Sequence, residues 1–473
     1  MTRKVRMPWP LLAVLAVQAA LSASLVRTRT AFGDEALYLS AGHLEWSRWL
    51  HGTQIPAYQT WFSGAPVMYP PVGAIADSLG GLAAARLLSL VFMLGVTSFV
   101  WSTTARLLAD ERAAFFAAAL FAVLAPTLHL GSYATYDAPA LLLLAAATWC
   151  AAGVRGQNPA RWIIAAGILL ALANATKYAT ALYDPTVLGV TLLSAWPDAG
   201  RKVAARRAAF LAGSAAAVTG VLLLLGGPGY LTGIRMTTTG RPDGTDAAAL
   251  VLADAWSWTA VVLVPAVIAV IAAVVCAARR RWPQALLLAV LALSALLAPA
   301  DQARIQTTTS LNKHVDFGAW FAAIAAGYLL SMLSRRRAVL AVSLAALIPA
   351  AALGIAQARA IINWPDVTGL VKVVRPLTNH GGHFLVETTD VLQYYLPRTT
   401  WRQWSNTLDY SPEYYQRAIA RHYFSVVILS FDQTLANDAA IALELSQTSG
   451  YRLAAKVRSG STVFYVWEYA GLV

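Results

Sequence analysis

The stretch SWTAVVLVPAVIAVIAAVVCA, residues 257–277, contains no charged residue and is closed by Arg279, Arg280 and Arg281. A helix of roughly 20 apolar residues crosses the hydrocarbon core of a bilayer, and basic residues just beyond such a run mark the cytoplasmic side. The same pattern recurs along the chain. Of its 473 residues, 58% are hydrophobic and only 12% are charged, whereas a soluble domain carries about a quarter charged residues. Apolar segments that read as spans lie near 8–26, 82–102, 112–128, 138–154, 161–174, 178–195, 208–226, 257–277, 284–299, 317–333 and 338–356, eleven in all. The expected fold is a polytopic α-helical membrane protein.

Arg3, Lys4 and Arg6 precede the first apolar run, and no convincing small-x-small cleavage site follows it. It therefore reads as a retained signal-anchor. With the N-terminus in the cytoplasm, the inner loops hold Arg106 and Arg112; Arg155 and Arg161; Arg201, Lys202, Arg206 and Arg207; Arg279 to Arg281; and Arg335 to Arg337. An odd number of spans then places the C-terminus outside, and the expected location is the inner (plasma) membrane. The formal charge of +13 is in this reading a topology signal, and no nucleic-acid partner is expected. The two cysteines, Cys150 and Cys276, fall near cytoplasmic helix ends, where neither a disulfide nor a metal site is expected.

Four outer regions contrast with the tight inner turns: 27–81, 129–137, 227–256 and 300–316. The first is rich in Trp, Tyr and Pro, with a surface helix expected from residue 34 to residue 50. The third is rich in Gly and Thr and reads as a mobile loop. Beyond about residue 357 the pattern changes. Residues 383–386 and 423–430 read as strands and 412–422 and 437–447 as helices; 451–457 and 462–469 read as a hairpin through Ser459 and Gly460. The expected division is a transmembrane module over 1–356 and an extracytoplasmic α/β domain over 357–473.

The adjacent carboxylates Asp34 and Glu35 open the first outer loop in Phe32-Gly33-Asp34-Glu35-Ala36-Leu37-Tyr38. They have two readings, as acids in the first turn of a helix or as groups that meet a substrate at headgroup level. Asp137, in Thr135-Tyr136-Asp137-Ala138-Pro139, caps a span equally well. Lys177 and Arg86 suit snorkelling at an interface, and Lys313, His314 and Asp316 suit an ordinary polar loop. What links them is topology: all project to the outer face. Acids and cations together there suit a substrate with an anionic group and a hydroxyl to be deprotonated, and a lipid phosphate has the right chemistry. No nucleotide-binding motif occurs, so an activated group would arrive on a lipid.

Asp34-Glu35-x-x-Tyr38, Tyr69-Pro70, Ala84-Ala85-Arg86-Leu87, Thr135-Tyr136-Asp137-Ala138-Pro139 and Thr176-Lys177-Tyr178 occur in order within residues 1–190. Together they resemble the protein O-mannosyltransferase and aminoarabinose-transferase relatives of the GT-C superfamily. The resemblance implies an inverting transfer of a sugar from a polyprenyl-phosphate donor to a hydroxyl on a glycan, lipid or protein. It implies Asp34 as general base and Lys177 as stabiliser of the departing phosphate, with Glu35, Tyr38, Arg86, Asp137, Lys313 and His314 binding substrate. A divalent cation, magnesium or manganese, at Glu35 and Asp137 is used by some members and not others. Trp46, Trp49 and Trp61 are either sugar-stacking surfaces or members of an interfacial aromatic belt, the reading that membrane proteins favour.

Two other functions compete. A lipid-linked-sugar flippase or transporter would place ionisable residues near mid-bilayer, yet the span interiors here are almost free of charge. A membrane binding or scaffold protein with a decayed site would not need intact acids in each motif.

Overall fold

The computed structural model describes residues 8–155, 159–277 and 282–472. Arg3, Lys4, Arg6, Arg279 to Arg281 and the side chain of Cys276 lie outside the described residues. The chain divides into two units, one made of residues 1–26 and 45–362, the other of 27–44 and 363–473.

In the first unit, eight helices are long and apolar enough to cross a membrane: Tyr69–Leu108, Asp137–Arg155, Pro159–Thr176, Arg201–Thr237, Ala248–Val275, Trp282–Arg304, Leu311–Leu333 and Arg337–Ile361. The protein is thus a multi-pass membrane protein. Three of the eleven expected spans are shorter helices, for local reasons. The first apolar run yields only Trp9–Ala23. Residues 112–128 break into Glu111–Ala122 and Ala125–Leu130, because Leu124 is extended and Pro126 begins a new helix. Residues 178–183 are a 3-10 turn, so the next α-helix is only Asp184–Ala199.

Leu311–Leu333 runs through the centre, and Ala, Phe and Trp side chains bury nearly its whole surface. There Trp320 donates its indole N–H to the Val96 carbonyl at 3.2 Å. The expected starts and stops of other spans coincide with kinks. Tyr69–Leu108 bends at Gly80 and Gly81, where Gly81 takes φ +66°, a conformation that side chains with a Cβ rarely adopt. Arg201–Thr237 bends at Gly227-Pro228. The region 227–256, expected to be a mobile loop, is helical to Thr237 and again from Ala248, with a hydrogen-bonded strap between the two helices. The Gly244 amide donates to the Ile305 carbonyl at 2.8 Å, and Asp246 accepts from the Thr308 amide and hydroxyl, each at 2.7 Å.

At one set of helix ends, Arg106 lies over the rings of Trp149 and Trp162, and Arg155 donates to the Ser194 carbonyl at 2.6 Å. Asp110 caps Glu111–Ala122 by accepting from the Arg112 and Ala113 amides, and Ser331 donates to its other oxygen. Arg106 and Arg155, two of the basic residues of the expected inner loops, are thereby fixed to backbone and aromatic partners.

The second unit is a mixed sheet between helices. Its strands are β1 His383–Val386, β2 Trp404–Asn406, β3 Phe424–Leu429, β4 Tyr451–Ser459 and β5 Thr462–Tyr469. Their order is β2-β1-β3-β5-β4; β1 is parallel to β2 and β3, while β5 is antiparallel to β3 and β4. Side chains alternate across a strand, and here Phe384, Val386, Val426, Ile428 and Val466 meet helix Thr368–Thr378. Leu385, Val427 and Leu429 meet helices Pro412–Ala420 and Leu435–Gln447 on the other face. Residues 27–44, expected with the transmembrane module, join this unit through specific bonds. Trp364 donates to the Thr30 carbonyl at 2.8 Å, the Ala31 amide donates to the Tyr395 hydroxyl at 2.8 Å, and Phe32 packs on Trp364.

A buried carboxyl pair is formed by Glu387, which directly follows β1, and Asp438 of the helix Leu435–Gln447. Glu387 accepts from the amides of Ser430, Phe431 and Gln433 and from the Ser430 hydroxyl. Burial opposes its ionisation, but hydrogen bonds from Asp438, Ser430 and Gln433 outweigh this and hold it below its usual range. Asp438 is fully buried, accepts from Thr434 at 2.7 Å, and is pushed up to about 7 by burial and by Glu387. Because folding raises the affinity of Asp438 for its proton, its contribution to stability is complete below the unfolded carboxyl pKa. It is lost as pH rises through about 7, a change on the order of a few kcal/mol. Asp438→Asn, which mimics the protonated acid, is expected to flatten this dependence. Amide exchange at Ser430 and Phe431 in the full-length protein, corrected for intrinsic rates, checks it: protection should fall between about pH 5 and 8 in the wild type only. Equal slopes in both proteins would remove Asp438 as the cause.

Candidate active site

The centre of the candidate site in the first unit is an ion pair produced by a helical hairpin. Asp137 begins the helix Asp137–Ala152, and Lys177 directly follows the end of Pro159–Thr176. The two helices pack together through a short connection, so the start of one lies beside the end of the other. Lys177 leaves the helix in extended conformation, with φ −148° and ψ 117°. Its Nζ lies 2.5 Å from Asp137 Oδ1, and Thr135 donates to Asp137 Oδ2 at 2.8 Å. Asp137 is 0% and Lys177 3% exposed; both are therefore desolvated, and neither snorkels. Tyr136 places its ring 5.4 Å from Lys177 Nζ and its edge against Tyr69.

The other expected residues of this unit are also buried or half-buried. Lys313 is buried in the first turn of Leu311–Leu333, with Nζ 5.6 Å from the Tyr133 ring. Arg86 is buried as well, and donates to the Val26 carbonyl at 2.7 Å, tying the end of the first apolar segment to the second. His314 is half-buried on the same turn as Lys313, and its carbonyl accepts from the Tyr183 hydroxyl. Asp316 is buried and accepts from Thr127 at 2.7 Å. The sequence reading did not single out His129, which is buried with its ring 4.6 Å from that of Tyr133. Its Nδ1 has no hydrogen-bond partner. The stretch from residue 129 to 136 contains one His and two Tyr, but only packing reveals that His129 joins the Tyr133 and Lys313 group.

Asp34, Glu35 and Tyr38 belong to the second unit. All three lie in helix Gly33–His51, with both acids in its first turn. Glu35 is fully buried and accepts from the Phe32 amide at 3.0 Å, which is a capping role. Tyr38 is buried and Asp34 half-buried. Asp390, at the start of helix Asp390–Tyr395, is pushed up to about 6 by burial and by the charge of Asp34, so the two carboxylates interact. A divalent cation at Asp137 would have to displace Lys177 and Thr135, and one at Glu35 would compete with the Phe32 amide. Among the described residues no group of three or more His, Cys, Asp or Glu side chains is placed to hold a metal. Both carboxylates are thus already engaged by protein partners.

Of the expected aromatic residues, Trp46 donates to the Pro71 carbonyl at 2.9 Å and packs edge-on against Trp49. Trp49 and Trp61 are exposed.

Residues 72–225 match the family model described as dolichyl-phosphate-mannose-protein mannosyltransferase. No curated protein matches the chain by sequence. The fold is similar to that of ArnT from Cupriavidus metallidurans in the apo state, with TM-score 0.64 and 13% identity over 98% of each chain. The same protein bound to undecaprenyl phosphate matches with TM-score 0.61 and 15% identity, again over 98% of each chain. The archaeal oligosaccharyltransferase AglB from Archaeoglobus fulgidus, in complex with an inhibitory peptide and a dolichol-phosphate, matches with TM-score 0.60 and 13% identity. That match covers 97% of this chain and 74% of AglB.

Proposed function

We propose that this chain is a glycosyltransferase of the GT-C type that transfers a sugar from a polyprenyl-phosphate donor to a hydroxyl acceptor on the extracytoplasmic face of the inner membrane, a reading supported by the family-model match over 72–225 and the ArnT-like fold. The observation that carries the reading is the buried pair of Lys177 and Asp137, with two further buried cations, Lys313 and Arg86, in the same unit. A fixed cation in a water-poor site stabilises charge that develops on a leaving group far better than a solvated one. The lipid phosphates bound to ArnT and AglB support a donor of that class.

In the proposed reaction the acceptor oxygen forms a bond to the anomeric carbon as the bond from that carbon to the phosphate oxygen breaks. One displacement inverts the anomeric centre. The acceptor proton passes to the Asp34 carboxylate, a role that rests on the family resemblance. Lys177 meets the negative charge on the departing polyprenyl monophosphate, with Lys313 and Arg86 adding to the local positive field. Asp137 and Thr135 hold the lysine in place.

Donor turnover tests the proposal. Purified protein given a polyprenyl-phosphate-linked sugar and a hydroxyl acceptor should release free polyprenyl monophosphate and a glycoside of inverted configuration. Movement of the intact donor between leaflets without bond cleavage would instead identify a flippase. The orientation has its own check. Ser461 is exposed in the turn between β4 and β5, and Ser461→Cys in a background lacking Cys150 and Cys276 should react with an impermeant thiol reagent in intact cells. Reaction only after permeabilisation would reverse the topology.

A further inference from the structure

The turn that carries Lys177 is clasped by a segment of the first outer loop that the proposed mechanism does not use. The Ala65 amide donates to the Ala175 carbonyl at 2.8 Å, and the Tyr178 amide donates to the Ser63 carbonyl at 3.0 Å. Residues 63–65 and 175–178 thus form a short backbone bridge across Lys177. Gly64 lies against the Thr176 peptide so closely that a Cβ at this position would overlap the Thr176 carbonyl oxygen. At the same segment the Ser63 hydroxyl is 3.2 Å from that of Tyr136, the residue before Asp137. Ala65 packs with Tyr178 and Tyr230. One stretch of three residues therefore reaches both arms of the ion pair.

We propose that Ser63, Gly64 and Ala65 are positioning residues that set how Lys177 is presented to the leaving phosphate. The inference rests on Lys177 as phosphate stabiliser. Lys177 is the single extended residue between the helix Pro159–Thr176 and the 3-10 turn Tyr178–Tyr183; its amide still donates to the Ala173 carbonyl at 2.9 Å and its carbonyl accepts from the Thr180 amide at 3.0 Å, and the bridge adds a restraint from outside these two elements. Small residues are required because the two backbones touch. A displacement of about 1 Å at a charge-stabilising group is enough to cost two orders of magnitude in rate.

The experiment is a cycle of rates in the full-length protein. Gly64→Ala, which forces the bridge apart, is measured alone and on the paired Lys177→Met, Asp137→Asn background. Alone it should lower kcat at least tenfold, with the donor KM changed less than about threefold. On the paired background, where the lysine is gone, the same change should cost less than about twofold. An equal loss in both backgrounds would mean that Gly64 does not act through Lys177, and the inference would fall. Undiminished activity of the paired background itself would instead defeat the role given to Lys177. Should Gly64→Ala not yield folded protein, Ser63→Ala, which removes only the hydroxyl beside Tyr136, is run through the same cycle. A several-fold loss confined to the lysine-containing protein supports the inference, and an additive or absent effect overturns it.

Discussion

Lys177→Met is expected to lower sugar transfer by about 100- to 1000-fold, the range seen when one preorganised donor to a developing anion is removed. The loss corresponds to about 2.7–4 kcal/mol of transition-state stabilisation. The single variant also carries a folding defect, because Asp137 is fully buried and would lose the partner 2.5 Å away. Breaking such a pair costs about 3–5 kcal/mol, a large share of the stability of any domain. Activity and folding therefore have to be separated. Lys177→Met with Asp137→Asn removes both charges, and Thr135 still has an oxygen to donate to. The expected result is a folded protein with the full catalytic loss. Transfer within about threefold of wild type in the paired variant would show that the ion pair only holds two helices together, since that loss is well below 1 kcal/mol.

Asp34→Asn is expected to reduce transfer by about two to four orders of magnitude, the contribution typical of a positioned general base. The substitution keeps the shape of the side chain and a polar group in the first turn of Gly33–His51, so the fold should persist. Binding of polyprenyl monophosphate should also persist, because the proposed phosphate ligands are elsewhere in the chain. Asp390 adds a way to recognise the effect. Its carboxyl is raised by burial and by the charge of Asp34, so neutralising Asp34 should shift the Asp390 titration down. Full activity in Asp34→Asn would end its assignment as base.

Much of the architecture is legible in the sequence because its signals are local. The break at Gly80 and Gly81 coincides with the start expected for the span at 82–102, and the Gly227-Pro228 kink with the end expected for 208–226. In the second unit, β1, β5 and the main helices follow from alternation and turn residues. The three-residue β2 does not, since Trp404–Asn406 is too short to show a period. Helix Thr368–Thr378 is likewise not among the expected elements, although Leu370, Val371 and Val374 form its buried face.

The candidate site is legible in the sequence as a set of residues expected on one membrane face and not as an arrangement. That Lys177 meets Asp137 follows from the packing of two helices and the extended turn after Thr176. The clasp by residues 63–65 depends on backbone bonds to residues more than a hundred positions away. The association of residues 27–44 with the C-terminal segment is equally invisible, because it is carried by Trp364 and Tyr395 acting on the backbone of Thr30 and Ala31. Hydropathy and motif spacing record none of these long-range bonds.

The most direct test of the central claim is an experimental structure of the full-length protein with polyprenyl monophosphate bound. The account predicts a phosphate oxygen within hydrogen-bond reach of Lys177 Nζ, roughly 3 Å, with Lys313 facing the same group. A phosphate bound elsewhere, with Lys177 engaged by Asp137 alone, would contradict it.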